Sequence, residues 1–256
     1  MAEPATFNAY QSLRQALATV FSDRRWPIKI AIGGAFMLTI IGVVFPQGFL
    51  IEHLDNSRRG FRTPLPGWRQ WSDKAVMGML AAMFDFVYFL LPIIAAALGL
   101  FCAIIPLLFS DSAAAEWSTR LIVAVLGSII LLSFGLSFSP IAKIYFAKDG
   151  DIEHNVGPRM LSRIRNPLTR HLYYKARLAS LPVYGPALLA GAGLFMLIQR
   201  SGSSVWLTLG VAWLTASLFF GAWLITGQIY LAAVEIAEDM ELDARLAERR
   251  ATLSNE

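Results

Sequence analysis

One run of sequence fixes the solvent in which this chain folds. From Lys74 to Ser110 it reads KAVMGMLAAMFDFVYFLLPIIAAALGLFCAIIPLLFS, with a single acid, Asp85, and a proline midway, Pro92. About 20 residues of helix already cross the roughly 30 Å hydrocarbon core of a bilayer, and no water-soluble domain needs an apolar run so much longer. The expected fold class is therefore all-α, a polytopic helical membrane bundle. A composition of 56% hydrophobic and 16% charged residues, with a mean hydropathy of +0.54, agrees. The net charge of +4 sits in arginines placed between apolar runs, where membrane orientation accounts for it, so nucleic acid is not an expected partner and the lipid bilayer is. A single cysteine, Cys102, excludes an intramolecular disulfide, a Cys-rich zinc site and an iron–sulfur cluster, and reads as a small core residue.

In chain order, residues 1–26 form an N-terminal interfacial helix. Phe7, Tyr10, Leu13, Leu17, Val20 and Phe21 recur at helical spacing, and Asp23-Arg24-Arg25-Trp26 closes the segment with charge and an interfacial tryptophan. No signal-peptide plan is present, so the first span is expected to remain as an anchor. Residues 27–235 form the integral membrane domain, with about five transmembrane helices. Span one runs from Pro27 to Leu50, where Gly33, Gly34 and Gly42 suit close helix approach. A polar segment with PLPGWRQW follows at headgroup level. Lys74, Gly78, Ala81 and Asp85 share one helical face, so Lys74 to Leu91 reads as an interfacial helix whose polar face, Asp85 included, meets headgroups or water; Pro92 then starts span two. Span three covers Thr119 to Phe146, span four Leu181 to Ile198, and span five residues 205–234. Residues 236–256 are a charged, solvated helical tail. If Lys74 to Leu91 crosses instead, the spans number six.

Sliding the chain by 94 positions brings Gly33 onto Gly127, Leu38 onto Leu132, Pro46 onto Pro140, Pro92 onto Pro186 and Gly99-Leu100-Phe101 onto Gly193-Leu194-Phe195. One unbroken offset aligning so many glycines and prolines marks an internal parallel repeat, 27–110 against 119–198. Pro92 and Pro186 should each open a span after an interfacial helix. The basic segments after spans one, three and five share a face, which the positive-inside rule makes cytoplasmic. The C-terminus is then cytoplasmic and the N-terminus outside, a placement that leaves Arg14, Arg24 and Arg25 on the wrong side.

The order IGGAFML, PQGFL, RRG, PLPGW and GMLAAMFDFVYFLLP, then SPIAKIYFAKDGD and RHLYYKARLASLPVYGP, resembles an uncharacterised prokaryotic membrane family, domain of unknown function 4013, from Arg25 to Glu235. The resemblance implies a helical membrane protein of the prokaryotic inner membrane. It implies no reaction, cofactor or catalytic residue.

Chemistry-bearing motifs are sparse. His53, His154 and His171 are too far apart for a helical metal pair, and no phosphate loop or nucleophile elbow is present. Asp149, Asp151, Glu153 and His154 could offer a divalent cation oxygen and nitrogen ligands, but an ordinary solvated turn looks the same. No catalytic residue, cofactor or metal is expected. Arg159, Arg163, Arg165, Arg170, Lys175 and Arg177 are candidates for anionic lipid headgroups, and Asp85 is the intramembrane polar candidate. The expected function is non-enzymatic: an accessory, assembly or scaffold component with a membrane-protein partner or self-association. The alternative is a small-solute or lipid permease with its pathway between the repeats, for which Asp85, Ser133, Ser137, Thr215, Thr226 and Gln228 are the available polar groups.

Overall fold

In a computed structural model of the chain, the described residues are 7–39, 41–108, 139–200 and 204–253, with three isolated positions between 108 and 139. Among them every regular element is helical: α1 (Ala9–Phe21), α2 (Trp26–Met37), α3 (Val44–Arg58), α4 (Trp71–Leu108), α5 (Ser139–Asp149), α6 (Ile152–Val156), α7 (Pro158–Ile164), α8 (Arg170–Ser180), a 3-10 turn at Leu181–Tyr184, α9 (Gly185–Gln199) and α10 (Val205–Leu253). The chain divides into two compact units, Met1–Ala82 with Pro140–Glu256, and Met83–Ser139. Among the described residues, two helical stretches are long and apolar enough to cross a membrane, Arg170–Gln199 and Val205–Leu253. Most of span three, Ser133, Ser137 and the side chain of Cys102 lie outside the described residues, as do the repeat positions around Leu132.

The axis of the larger unit is α10, which at 49 residues is roughly 70 Å long. Everything else is placed along it. The first apolar run does not form one span. It breaks after Met37, and α2, about 18 Å long, is too short to cross alone. The break is built by Thr39, whose hydroxyl donates to the Phe36 carbonyl and accepts from the Gly42 amide at 3.0 Å. A side chain at position 42 would collide with Thr39 and with that carbonyl, so glycine closes the turn. Along α2, Ile30 meets Gly221, Gly33 meets Phe220 and Gly34 meets Ser217, so α2 runs antiparallel to α10. Along α3, Phe49 meets Phe220, Leu50 and Leu54 meet Gly227, and His53 meets Gln228, so α3 runs parallel to it. The expected crossing from Pro27 to Leu50 is therefore half of a helical hairpin that enters and returns at the same end of α10. The sequence hid this because hydropathy is blind to a turn made from Thr39 and Gly42, both common inside membrane helices.

A similar test corrects the reading of α4. The helix continues through Pro92 to Leu108, so Pro92 starts nothing, whereas Pro186 does stand in the first turn of α9. Its faces are also reversed from expectation. Lys74, Gly78 and Ala81 are buried, while Val76, Met77, Met79 and Met83 are exposed. Gly48 of α3 lies on the Lys74 backbone and Gly78 on the Val44 backbone, contacts that only hydrogen side chains allow. Lys74, 3% exposed, closes this interface by pairing with Glu52 and donating to the Arg69 carbonyl. The segment PLPGWRQW seals the hairpin: Trp68 donates to the Lys29 carbonyl at 2.9 Å and stacks on Trp71, with Phe36 and Phe49 against the two rings.

The N-terminal helix forms as expected, capped by the Asn8 side chain, which accepts from the amides of Tyr10 and Gln11. It is rotated from the expected pose. Ser12, Ala16 and Val20 are the buried stripe and Tyr10 is 75% exposed, so α1 packs on protein. Ser12, Gln15 and Thr19 share a pocket with Gln228, Leu231 and Glu235. That places α1 beside the middle of α10, against α8, so Arg14, Arg24 and Arg25 lie at the same level of the unit as the basic residues of α8.

Candidate functional site

Where α3 meets α10, the sequence places a polar group against a polar group inside an otherwise apolar core. His53 is fully buried, and its Nε2 lies 2.8 Å from Nε2 of Gln228, which also donates to the Ser57 hydroxyl at 2.7 Å. With both amide hydrogens so used, His53 must accept at Nε2 and carry its proton on Nδ1, the neutral tautomer. Burial holds its pKa down, to about 4; the Lys29 charge acts in the same direction and the Pro64 carbonyl in the other. Since α3 turns back with the hairpin, the imidazole stands near the end of the core. A pocket of about 350 Å³ opens beside Ser57 and Gln228, walled by Ser12 and Gln15 of α1 and by Glu235. Burial raises the Glu235 pKa, and the carboxylates of Glu238 and Asp239 raise it further. The arrangement can hold a small polar group by hydrogen bonds. It contains no activated nucleophile.

A second, larger cleft of about 750 Å³ lies among α5, α7 and the far part of α10, lined by Asp149, Asp151, Arg159, Arg163, Glu241 and Arg245. Of the six headgroup candidates it gathers Arg159 and Arg163 and adds Arg245. Arg165, Arg170 and Lys175 are exposed elsewhere and Arg177 is half-buried on α8. The Arg163 guanidinium sits over the Tyr145 ring at 4.4 Å, and Asn166 donates to Glu241 at 3.0 Å. Three guanidinium groups face three carboxylates, so the cleft has no single sign of charge. Among the described residues no group of His, Cys, Asp and Glu side chains is disposed to hold a metal.

Asp85 is partly exposed, and within the smaller unit its carboxylate accepts from the hydroxyl of buried Ser139. Lys143 escaped notice altogether. It is 1% exposed, over the Trp223 ring at 4.6 Å. A lone cation inside SPIAKIYF was the available signal.

A family model described as "Protein of unknown function (DUF4013)" matches residues 31–174, more than half of the chain. The chain belongs to this family. The DUF4013 segment runs from α2 into α8 and so contains the hairpin, α4, His53, Asp85 and Lys143, while Gln228 and Arg245 lie beyond it on α10. No curated protein and no solved structure matches the chain.

Proposed function

We propose that the chain is an integral membrane protein that works through packing, as a non-enzymatic accessory, assembly or scaffold component of a membrane complex or as a self-associated bundle. The observation that carries this is the inverted burial pattern. In α4, α9 and the first turns of α10 the exposed side chains are large and apolar, with Trp206 82% and Leu189 77% exposed, while Lys74, Lys143 and Gln228 are buried. A water-soluble protein does the reverse, and an apolar face of this extent needs lipid or a partner. The basic end, bearing Arg14, Arg24, Arg25, Arg58 and Arg59 with α8, is then cytoplasmic, in a prokaryotic inner membrane, and carries the C-terminal part of α10. Alkaline carbonate extraction tests the membrane half: the protein should stay with the pellet, and release to the supernatant would overturn it. Cross-linking in membranes followed by gentle-detergent purification tests the packing half. A specific partner or a discrete oligomer supports it, and a clean monomer in every detergent overturns it.

The second reading, a small-solute or lipid permease, is favoured by the α2–α3 hairpin, because irregular backbone is tolerated at membrane depth where it is buried in protein or lines a pathway. The 94-residue repeat supports the same reading: Pro46 falls in the first turn of α3, and its counterpart Pro140 is also helical, in α5. Flux in proteoliposomes that is lost on Gln228→Leu would move the assignment to transport; equal leakage with and without protein removes it.

A further inference from the structure

We infer that the chain holds one anionic phospholipid, with an acyl chain in the groove between α1, α2 and α10 and its phosphate at Arg24 and Arg25; this rests on the membrane reading above. The groove, about 680 Å³, is walled by Leu17, Trp26, Ile30, Val183 and Leu214 among others. That volume lies within the range of cavities that enclose small ligands. Its walls are mainly apolar. The Ser217 hydroxyl donates to the Trp213 carbonyl at 2.8 Å, and the Trp213 indole donates to the Ala31 carbonyl at 2.9 Å. Both of these groups are thus spent on the protein itself, and the lining is otherwise apolar apart from the Trp26 indole N–H, so hydrocarbon is the occupant the walls suit. An acyl chain already in lipid gains little by moving into the groove, so retention has to come from the head.

The head is addressed by charge. Trp26, in the groove wall, opens α2, and the two residues before it are exposed arginines. Asp23, the nearest acid in sequence, pairs with Lys29 and accepts from the Arg25 backbone amide; its carboxylate also feels the Arg25 charge, so one acid stands among three cations and positive charge is left over. Two exposed arginines immediately before Trp26, a residue of the groove wall, offer guanidinium groups suited to a phosphate diester. The same residues looked misplaced when orientation was read from sequence; at the basic end they have a ligand to hold.

Native mass spectrometry of the full chain in mild detergent, with phosphatidylglycerol and phosphatidylethanolamine supplied in equal amounts, tests this. One phosphatidylglycerol per chain should survive activation, with retention reduced at least fivefold in Arg24→Gln/Arg25→Gln and in the groove-filling Val183→Trp. Equal retention of both lipids, or retention unchanged in both variants, overturns it. Should Val183→Trp fold poorly, the double arginine variant decides alone, because its exposed side chains carry no packing. Carbonate extraction reads the membrane assignment independently, so either can fail without the other.

Discussion

The two halves of α10 differ in how far the rest of the protein covers them. From Val205 to Leu214 its leucines and tryptophans are largely exposed; from Phe220 to Val234 the same kinds of residue, Trp223, Leu224 and Ile229 among them, are buried under α1, α2, α3 and α8. Nothing in the composition of the helix separates them, and only the neighbours differ. On the membrane reading proposed above the first half is finished by lipid, whereas the second is finished by protein, and the paired polar residues lie in the second. Gln228, His53 and Ser57 can be paired there because a rigid protein wall supplies fixed partners, whereas lipid would leave them unsatisfied.

The sharpest way to break this comparison is acid. The folded-state pKa of His53, held down to about 4, lies below its ordinary 6.5, so the folded protein binds fewer protons than the unfolded chain between those values. Stability is complete above pH 6.5 and falls as pH drops through that window, by roughly 3 kcal/mol at its lower end. Unfolding followed in detergent at pH 7 and pH 4.5 should show the loss. His53→Leu should be weaker at pH 7, by about 1–3 kcal/mol because Gln228 loses an acceptor, and should show a shallower slope. An unchanged slope would mean that the histidine is not protected by the protein wall.

Glycines sharpen the comparison next. Gly78→Val drives a side chain into the Val44 carbonyl and the Gly48 amide, backbone groups that cannot move aside, and should cost about 2 kcal/mol or more in detergent unfolding. Gly193→Ala in α9 meets nothing within 4 Å. It should be neutral or stabilise by up to about 1 kcal/mol through helix propensity. If both substitutions cost alike, the face of α9 that bears Gly193, opposite its contact with α10, has a packing partner of its own and is not finished by lipid.

How much of this was legible follows from what each signal measures. Hydropathy measures transfer, so it found the apolar runs, and Gly33 and Gly34 do allow close helix contact, against Phe220 and Ser217. Proline position was a partial guide: Pro186 stands in the first turn of α9, just after the 3-10 turn at Leu181–Tyr184, while Pro92 is carried within α4 because the helix around it is long enough to absorb one lost hydrogen bond. The direction of a face was not legible. Lys74, Gly78 and Ala81 form the same stripe whether it turns to water or to a neighbour, and only the contacts of Gly48 and Gly78 decide. Pairings such as His53 with Gln228, 175 residues apart, leave no local trace.

The smallest expected effect lies where α10 leaves both environments for water. Lys148 and Glu238 pair at 2.8 Å with each side chain over a third exposed. Solvent screens such a pair, and Glu238→Gln should cost no more than about 0.5 kcal/mol. The same substitution removes one of the two carboxylates that raise the Glu235 pKa, after burial itself, so Glu235 should titrate lower in the variant. A carboxyl with a raised folded pKa weakens the fold as pH rises through that pKa, because the folded state then holds more protons than the unfolded one. Lowering it should therefore return part of the lost ion-pair energy near neutral pH. The measurement is a pH series of unfolding midpoints for the two proteins. Converging curves toward neutral pH support a half-buried Glu235 at the edge of the protein-lined region, and a constant offset would place that residue in open water with the rest of the tail.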